Sequence, residues 1–428
     1  MAQHHHHARL EAPPRLQLPK AYFTVAGALT AVGFLAFVAA LLGMHDPARA
    51  WKAYLIGLIY ATMIAIAGPF FIATQYMTRA GWSVTLRRIP EAFWPAFLPL
   101  GVLGLGFIVG GGVNHVFEWP HEQYHDALVT KKLAYLNVPR MIVSTVIAFA
   151  VWGGFGYLFS KNSQAQDVDG NPAYNKKNGI LAPIFTIFMS LGITTFSVDF
   201  IMSLHPHWFS TMWAVNFWTT SFQVGLAVMV LVATIFLDRG IARNFITPDH
   251  VHDLAKLLFA ATAFWAYIAF CQFLLMWYAN LPEEAIFWNT RMDWNHPGEH
   301  PWTPYTVALP LLKFIVPFFL LLPRNTKRAK NPMLMILSIW TLVMCAFEVW
   351  WWVAPAPVPH LGDHGHGGEH APEGHGVPYV APALPWLELL VTLGFSGVFA
   401  LTFGWAIQKA NIIPIKDPRL GEALHHHQ

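Results

Sequence analysis

The sequence predicts an all-α integral membrane protein of ten transmembrane helices with both termini cytoplasmic. Three observations carry that prediction. Of 428 residues, 55% are hydrophobic and only 11% are charged, whereas a soluble domain carries more than twice that charged fraction. Ten apolar runs reach the roughly 20 residues that a helix needs to cross a bilayer. Lysine and arginine are also unevenly shared. With ten crossings, eighteen of the 26 basic residues fall on the side of the termini, five on the other side and three within spans. By the positive-inside rule the termini are then cytoplasmic.

Taken in order, the spans run near 21–44, 49–77, 89–112, 138–160, 180–204, 207–238, 249–281, 302–322, 331–354 and 383–408. Pro47, Pro139, Pro248, Pro301, Pro323 and Pro332 mark boundaries, since proline in a first turn loses no helical hydrogen bond. Spans six and seven exceed the bilayer thickness and must tilt or project. Spans two to five and six to nine fall into two sets of four, with little residue-level echo between them. The polar N-terminus shows no small-residue cleavage site after its first apolar run, so no signal peptide is expected. The His4–His7 and His425–His427 runs are left out of the fold reasoning.

The outer side is acidic. It holds Glu118 to Asp126 between spans three and four, and Leu281 to Glu299 between spans seven and eight. Between spans nine and ten lies a linker, HLGDHGHGGEHAPEGHG (360–376), with five histidines. Imidazole is a common metal ligand, but the glycines fix no geometry, so a solvated linker is the expected reading. The tryptophans of 208–218 and 350–352 suit an interfacial aromatic belt and require no cofactor.

Charge inside the spans points to function. The stretch SVDFIMSLHPHWFSTMWAVNFWTTSFQ (197–223) puts Asp199 in an apolar run, followed by His205 and His207 around Pro206. A carboxylate there costs several kcal/mol unless something charged, protonated or wet meets it. The histidines beside it change charge near neutral pH. At 1.5 Å per residue, Asp199 lies about 7–10 Å below the outer surface, Glu348 roughly 9 Å, and Lys313, between Pro310 and Pro317, about 16 Å. Arg140, Glu388 and His115 stand at outer span ends. The inner half holds little beyond Glu91 and Lys256 near its edge. Asp199, His205, His207, Glu348, Lys313, Arg140, Glu388 and His115 are therefore the candidate proton-pathway residues. The bland alternative makes Asp199 a helix-end cap touching water.

Metal redox centres are not expected in this chain. Cys271 and Cys345 are the only cysteines, with no CxxC or CxxCH motif. Every histidine lies at a span end or in a loop, so paired helices offer no haem ligands, and an iron–sulfur cluster needs four cysteine-type ligands. Neither a phosphate-binding GxxxxGK[ST] loop nor a GxSxG elbow occurs.

The stretches SVDFIMSLHPHWFSTMW (197–213) and HDLAKLLFAATAFWAYIAFCQFLLMWYANLPEEAIFW (252–288) resemble the NrfD/PsrC-like membrane subunits. The likeness is to the ActF type of bacterial alternative complex III, a quinol:cytochrome c oxidoreductase. The specific motifs cover about 55 residues of spans five to seven. The resemblance implies two four-helix bundles (49–206 and 207–358) flanked by peripheral helices, with a cytoplasmic segment 1–20, a first peripheral helix 21–48, a periplasmic linker 359–382, and helix ten with its tail at 383–428. It also implies polar half-channels and a bacterial cytoplasmic membrane. Implied partners are an NrfD-like sister subunit credited with the quinol site, multihaem and iron–sulfur subunits, and a terminal oxidase. Asp199 matches the family acid and Pro206-His207-Trp208 its turn, while His205 stands where relatives carry an acid.

The expected function is thus a redox-inert subunit that conducts protons and holds such a complex together, with lipids around it and no nucleic-acid partner. Two alternatives differ in class. A quinone-binding catalytic subunit needs an apolar slot with a ring donor and acceptor, for which Trp208 and His207 are the candidates. A stand-alone secondary transporter needs midplane-broken helices in corresponding positions, hinted at by Pro95/Pro99 and Pro310/Pro317.

Overall fold

The computed structural model describes residues 13–43, 47–121, 127–293, 299–328, 332–357 and 385–426, and no strand occurs among them. The His4–His7 run and the 360–376 linker lie outside the described residues. Among the described residues, ten helices are long and apolar enough to cross a membrane: α1 (Lys20–Gly43), α2 (Pro47–Met77), α3 (Arg88–Val109), α4 (Val138–Asp169), α5 (Ala173–Leu204), α6 (Trp213–Asp238), α7 (Pro248–Ala279), α8 (Thr303–Leu321), α9 (Pro332–Val353) and α10 (Trp386–Lys409). An even number of crossings returns both ends of this set to one face, here called the terminal face. There Leu18 N donates to Gln408 Oε1 at 3.1 Å.

Several boundaries differ from the apolar pattern, because a helix does not stop where hydrophobicity does. α4 continues to Asp169 and α5 begins at Ala173, so their polar ends extend past the expected 160 and 180. Lys, Gln and Ala are good helix formers, and the hairpin closes only at Gly170, whose φ is 71°. At its start, α4 is capped by Asn137, whose side chain accepts from Arg140 N; Ser, Thr, Asn and Asp serve this role well. α6 starts at Trp213 rather than 207, because 205–212 turns non-helically around Pro206.

Two helices are interrupted. α3 is assembled from a turn at Arg88–Glu91, a 3₁₀ turn at Trp94–Ala96 and a helix at Phe97–Val109, in a segment carrying Pro90, Pro95 and Pro99. α8 holds a π-helical stretch, Leu311–Ile315, between Pro310 and the Val316–Leu321 helix. Proline removes an N–H from the ladder and displaces the carbonyl one turn back. Its neighbours then bond out of register, and such π segments recur at functional sites.

α2 is the hub, buried throughout its most apolar stretch. It contacts α5, α6, α9 and α10, while α1 packs on α10, α4 on α3 and α5, and α6 on α7 and α9. Small residues permit these approaches. A Cβ built on Gly33 would sit 2.5 Å from Gly394 Cα, and one on Gly225 would sit 2.0 Å from Ala67 Cβ. Neither site admits even alanine without moving a backbone. Close packing of this kind matters because lipid is as apolar as a protein core and hydrophobicity alone does not join helices. Leu42, Leu98 and Val109, at 83%, 77% and 73% exposed, point outward from the bundle.

Candidate functional site

A buried pair of opposite charges lies where α6, α7, α8 and α9 meet. Glu348 on α9 and Lys313 in the π-helical stretch of α8 are each 1% exposed. They form a direct ion pair. Glu348 Oε2 also accepts from Thr220 Oγ1 of α6 at 2.8 Å, and Oε1 accepts from Trp265 Nε1 of α7 at 2.7 Å. The ammonium sits 4.3 Å from the Trp265 ring centroid, a cation–π contact at a desolvated site. Four helices therefore each supply one group. Its three donors come from three helices, so moving α8 would withdraw the ammonium and leave the carboxylate with Thr220 and Trp265 alone.

From this pair a cavity of about 520 Å³ opens between α7 and α8. Its walls are apolar and rich in aromatic rings, Trp213, Trp265, Phe273, Phe287, Trp351 and Trp352 among them. Polar side chains are few among its walls. Asn216 and Glu348 line the cavity, and Asn216 Oδ1 and the indole nitrogens of Trp213, Trp288 and Trp352 are buried without a hydrogen-bond partner.

Beyond Phe287, toward the face opposite the terminal one, the cavity wall backs onto a second charged cluster. Arg291 is fully buried and lies 3.6 Å over the Phe287 ring. Its guanidinium donates to the carbonyls of Phe287 at 2.6 Å, Trp351 at 3.2 Å and Trp352 at 2.7 Å. Helix-end carbonyls, rather than a carboxylate, thus hold this cation. His205 packs edge-on against the same Phe287, centroids 6.1 Å apart, and its Nε2 has no hydrogen-bond partner. Burial, and then the charges of Arg291 and Lys52, hold the His205 imidazole well below its usual range, so it is neutral. Lys52 of α2 donates to the carbonyls of Ala354 at 3.2 Å and Ala356 at 2.5 Å. Glu118 is 5% exposed with Oε1 unpartnered. Burial raises its carboxyl to about 7, with Lys52 pulling the other way.

Asp199 is held elsewhere, between α4 and α5. Its carboxylate accepts from both terminal nitrogens of Arg140, at 2.7 and 2.9 Å, and from Ser144 Oγ at 2.8 Å. Such a two-pronged pair is the strongest arrangement open to arginine. Arg140 in turn stacks 3.7 Å over the Tyr135 ring and donates to the Tyr135 carbonyl. Burial and the Asp199 carboxylate push the Tyr135 hydroxyl up to about 12. Glu388 pairs with Arg49 at 3.1 Å, tying the start of α10 to α2. His115 stands half-buried on the short helix Gly112–Val116, and His207 half-buried in the turn after α5.

The structure thus separates the sequence candidates. Asp199 meets Arg140 and Glu348 meets Lys313, while His205 turns to Phe287 rather than to Asp199. Trp208 stacks on Phe287 at 4.6 Å, outside the residues that line the cavity. Sequence reasoning missed Thr220, Trp265, Lys52, Glu118 and Arg291. Lys52, at the start of its span beside Arg49, and Arg291, in a polar connection, stand where basic residues are ordinary and gave no such signal. Sequence reasoning also missed a cluster of ion pairs near the terminal face. Arg88 pairs with Glu91 and Asp167, each at 2.5 Å, and Arg87 pairs with Asp417 at 2.5 Å. All five are buried or nearly so, because α3 breaks at this depth and α4 runs on past the apolar zone.

No protein-family model matches the chain, and no curated protein matches it.

Proposed function

We propose that the chain is a redox-inert membrane subunit of a bacterial quinol-oxidising respiratory complex and that it conducts protons through α6–α9. One observation carries the proton role: the buried Lys313–Glu348 pair on a π-interrupted helix, at the floor of a cavity that reaches toward the opposite face. A carboxylate held between an ammonium and two neutral donors is a natural loading point. When the ammonium withdraws, the desolvated Glu348 takes a proton, and when it returns the proton is expelled. Asn216 and the unpartnered indole groups offer sites for the waters that would link Glu348 to the His205 and Glu118 region. Asp199, clamped by Arg140, would exchange protons only when that clamp opens.

The assignment to a quinol-oxidising complex rests on the likeness of 197–213 and 252–288 to the NrfD/PsrC-like subunits. In this reading α2–α5 and α6–α9 are the two four-helix bundles, α1 and α10 are peripheral, and the terminal face is cytoplasmic. The partners are a sister subunit, multihaem and iron–sulfur subunits, and a terminal oxidase.

Proton yield per electron, measured on the intact complex in liposomes, tests the reading. Glu348→Gln should lower it with assembly retained, and Asp199→Asn should lower it less. An unchanged yield in Glu348→Gln removes the α6–α9 route. An unchanged yield in Asp199→Asn makes that residue a helix clamp only. The cavity favours a second reading, a quinone ring among Trp213, Asn216 and Trp265, rather than at Trp208 and His207. Quinone retained by the purified chain, and lost in Asn216→Leu, would establish it.

A further inference from the structure

A separate basic site lies on the terminal face. α2 ends there in a turn in which Ala80 N donates to Gln75 O at 3.0 Å. This closure places one residue in the left-handed region, a position usually given to glycine. Here it is Arg79, with φ 53°. Glycine would hold that backbone with less strain. The Arg79 carbonyl accepts from Arg419 Nη1, which brings a second guanidinium alongside. Lys176, near the start of α5, completes the rim of a cavity of about 660 Å³.

These three cations have no acidic partner among the described residues. Arg87 also lines the cavity, but Asp417 already holds it, at 2.5 Å. Glu422, the other nearby acid, packs against Gly81. On the wall, Gln75 is 9% exposed and its Oε1 is buried without a partner. The cavity therefore has three unneutralised cations and an unused polar atom. One side of it is apolar. Met77 and Ile180 are 40% and 65% exposed, and the strip continues along α5 through Ile184 and Ile187. A small free anion would use the basic rim and leave that strip bare.

We propose that this cavity binds the headgroup of an anionic phospholipid, with its phosphate between Arg79, Lys176 and Arg419 and an acyl chain along α5. Guanidinium groups match phosphate oxygens in pairs, and basic pockets between membrane helices recognise anionic headgroups in this way.

The full-length protein would be examined by native mass spectrometry after equilibration with phosphatidylglycerol or phosphatidylcholine in mixed micelles. Phosphatidylglycerol should remain bound, and phosphatidylcholine should not. Arg79→Gly removes the charge while giving the turn its preferred residue, so folding should be kept and phosphatidylglycerol occupancy should fall at least fivefold. Arg79→Lys should retain most of it. Lys176→Gln and Arg419→Gln should each lower it, and they decide the matter if Arg79→Gly fails to fold. Equal binding of both lipids, or unchanged occupancy in Arg79→Gly or in both glutamine variants, would overturn the proposal. So would displacement of the lipid by millimolar inorganic phosphate, which would assign the cavity to a soluble anion.

Discussion

Lys313→Met isolates the energetics of the central pair. It removes the ammonium while keeping a flexible side chain of similar length in the π-helical stretch of α8. Glu348 then retains only Thr220 and Trp265, at 2.8 and 2.7 Å. At an effective dielectric of about 20, unit charges roughly 3 Å apart attract by some 5 kcal/mol. Breaking one side of a buried pair typically costs about 3–5 kcal/mol, because the remaining charge stays desolvated. Lys313→Met and Glu348→Gln should therefore each destabilise by about that amount. The double variant leaves no charge at this site and should recover at least ~2 kcal/mol relative to either single. Equilibrium unfolding of the full chain in mixed micelles of rising dodecyl sulfate fraction reads all four proteins. Singles within about 1 kcal/mol of wild type, with a merely additive double, would mean that water already solvates the pair. In that case the sealed, switchable carboxylate of the proton model does not exist.

Three further outcomes are expected. A reporter fused after Gln428 should be active in the cytoplasm and one inserted at Gly367 outside; the reverse would sink the orientation drawn from the basic residues. Glu118 binds its proton more tightly folded than unfolded, so its contribution is fully present below about 4.5 and is lost as pH rises through about 7. Glu118→Gln should thus flatten the stability profile between those values and gain roughly 2–3 kcal/mol over wild type above pH 7. Parallel profiles would show the carboxyl to be hydrated. The purified chain should show no Soret band and no stoichiometric iron, and either would overturn the redox-inert reading.

The all-helical class and the ten helices of spanning length were legible in the sequence, since length and apolarity of a run are local properties. So were Asp199, Lys313 and Glu348 as costly residues, because an ionisable group in an apolar run is conspicuous wherever it points. What each one meets was not legible. The apolar helices are hydrophobic all round, and both lipid and neighbouring helices accept an apolar face, so periodicity does not tell inward from outward. Rotation and register come instead from close approaches such as Gly33 on Gly394 and Gly225 on Ala67. These contacts seat α6 against α2 and α10 against α1. The breaks at Pro90, Pro95 and Pro310 then set which turn of α3 and α8 faces which neighbour. Only that three-dimensional seating gives Arg140 to Asp199 and Lys313 to Glu348. It also buries Arg291 among the carbonyls at the end of α9, although its own sequence neighbourhood is polar. Charge and hydropathy are written residue by residue, whereas an ion pair between helices is a property of their packing.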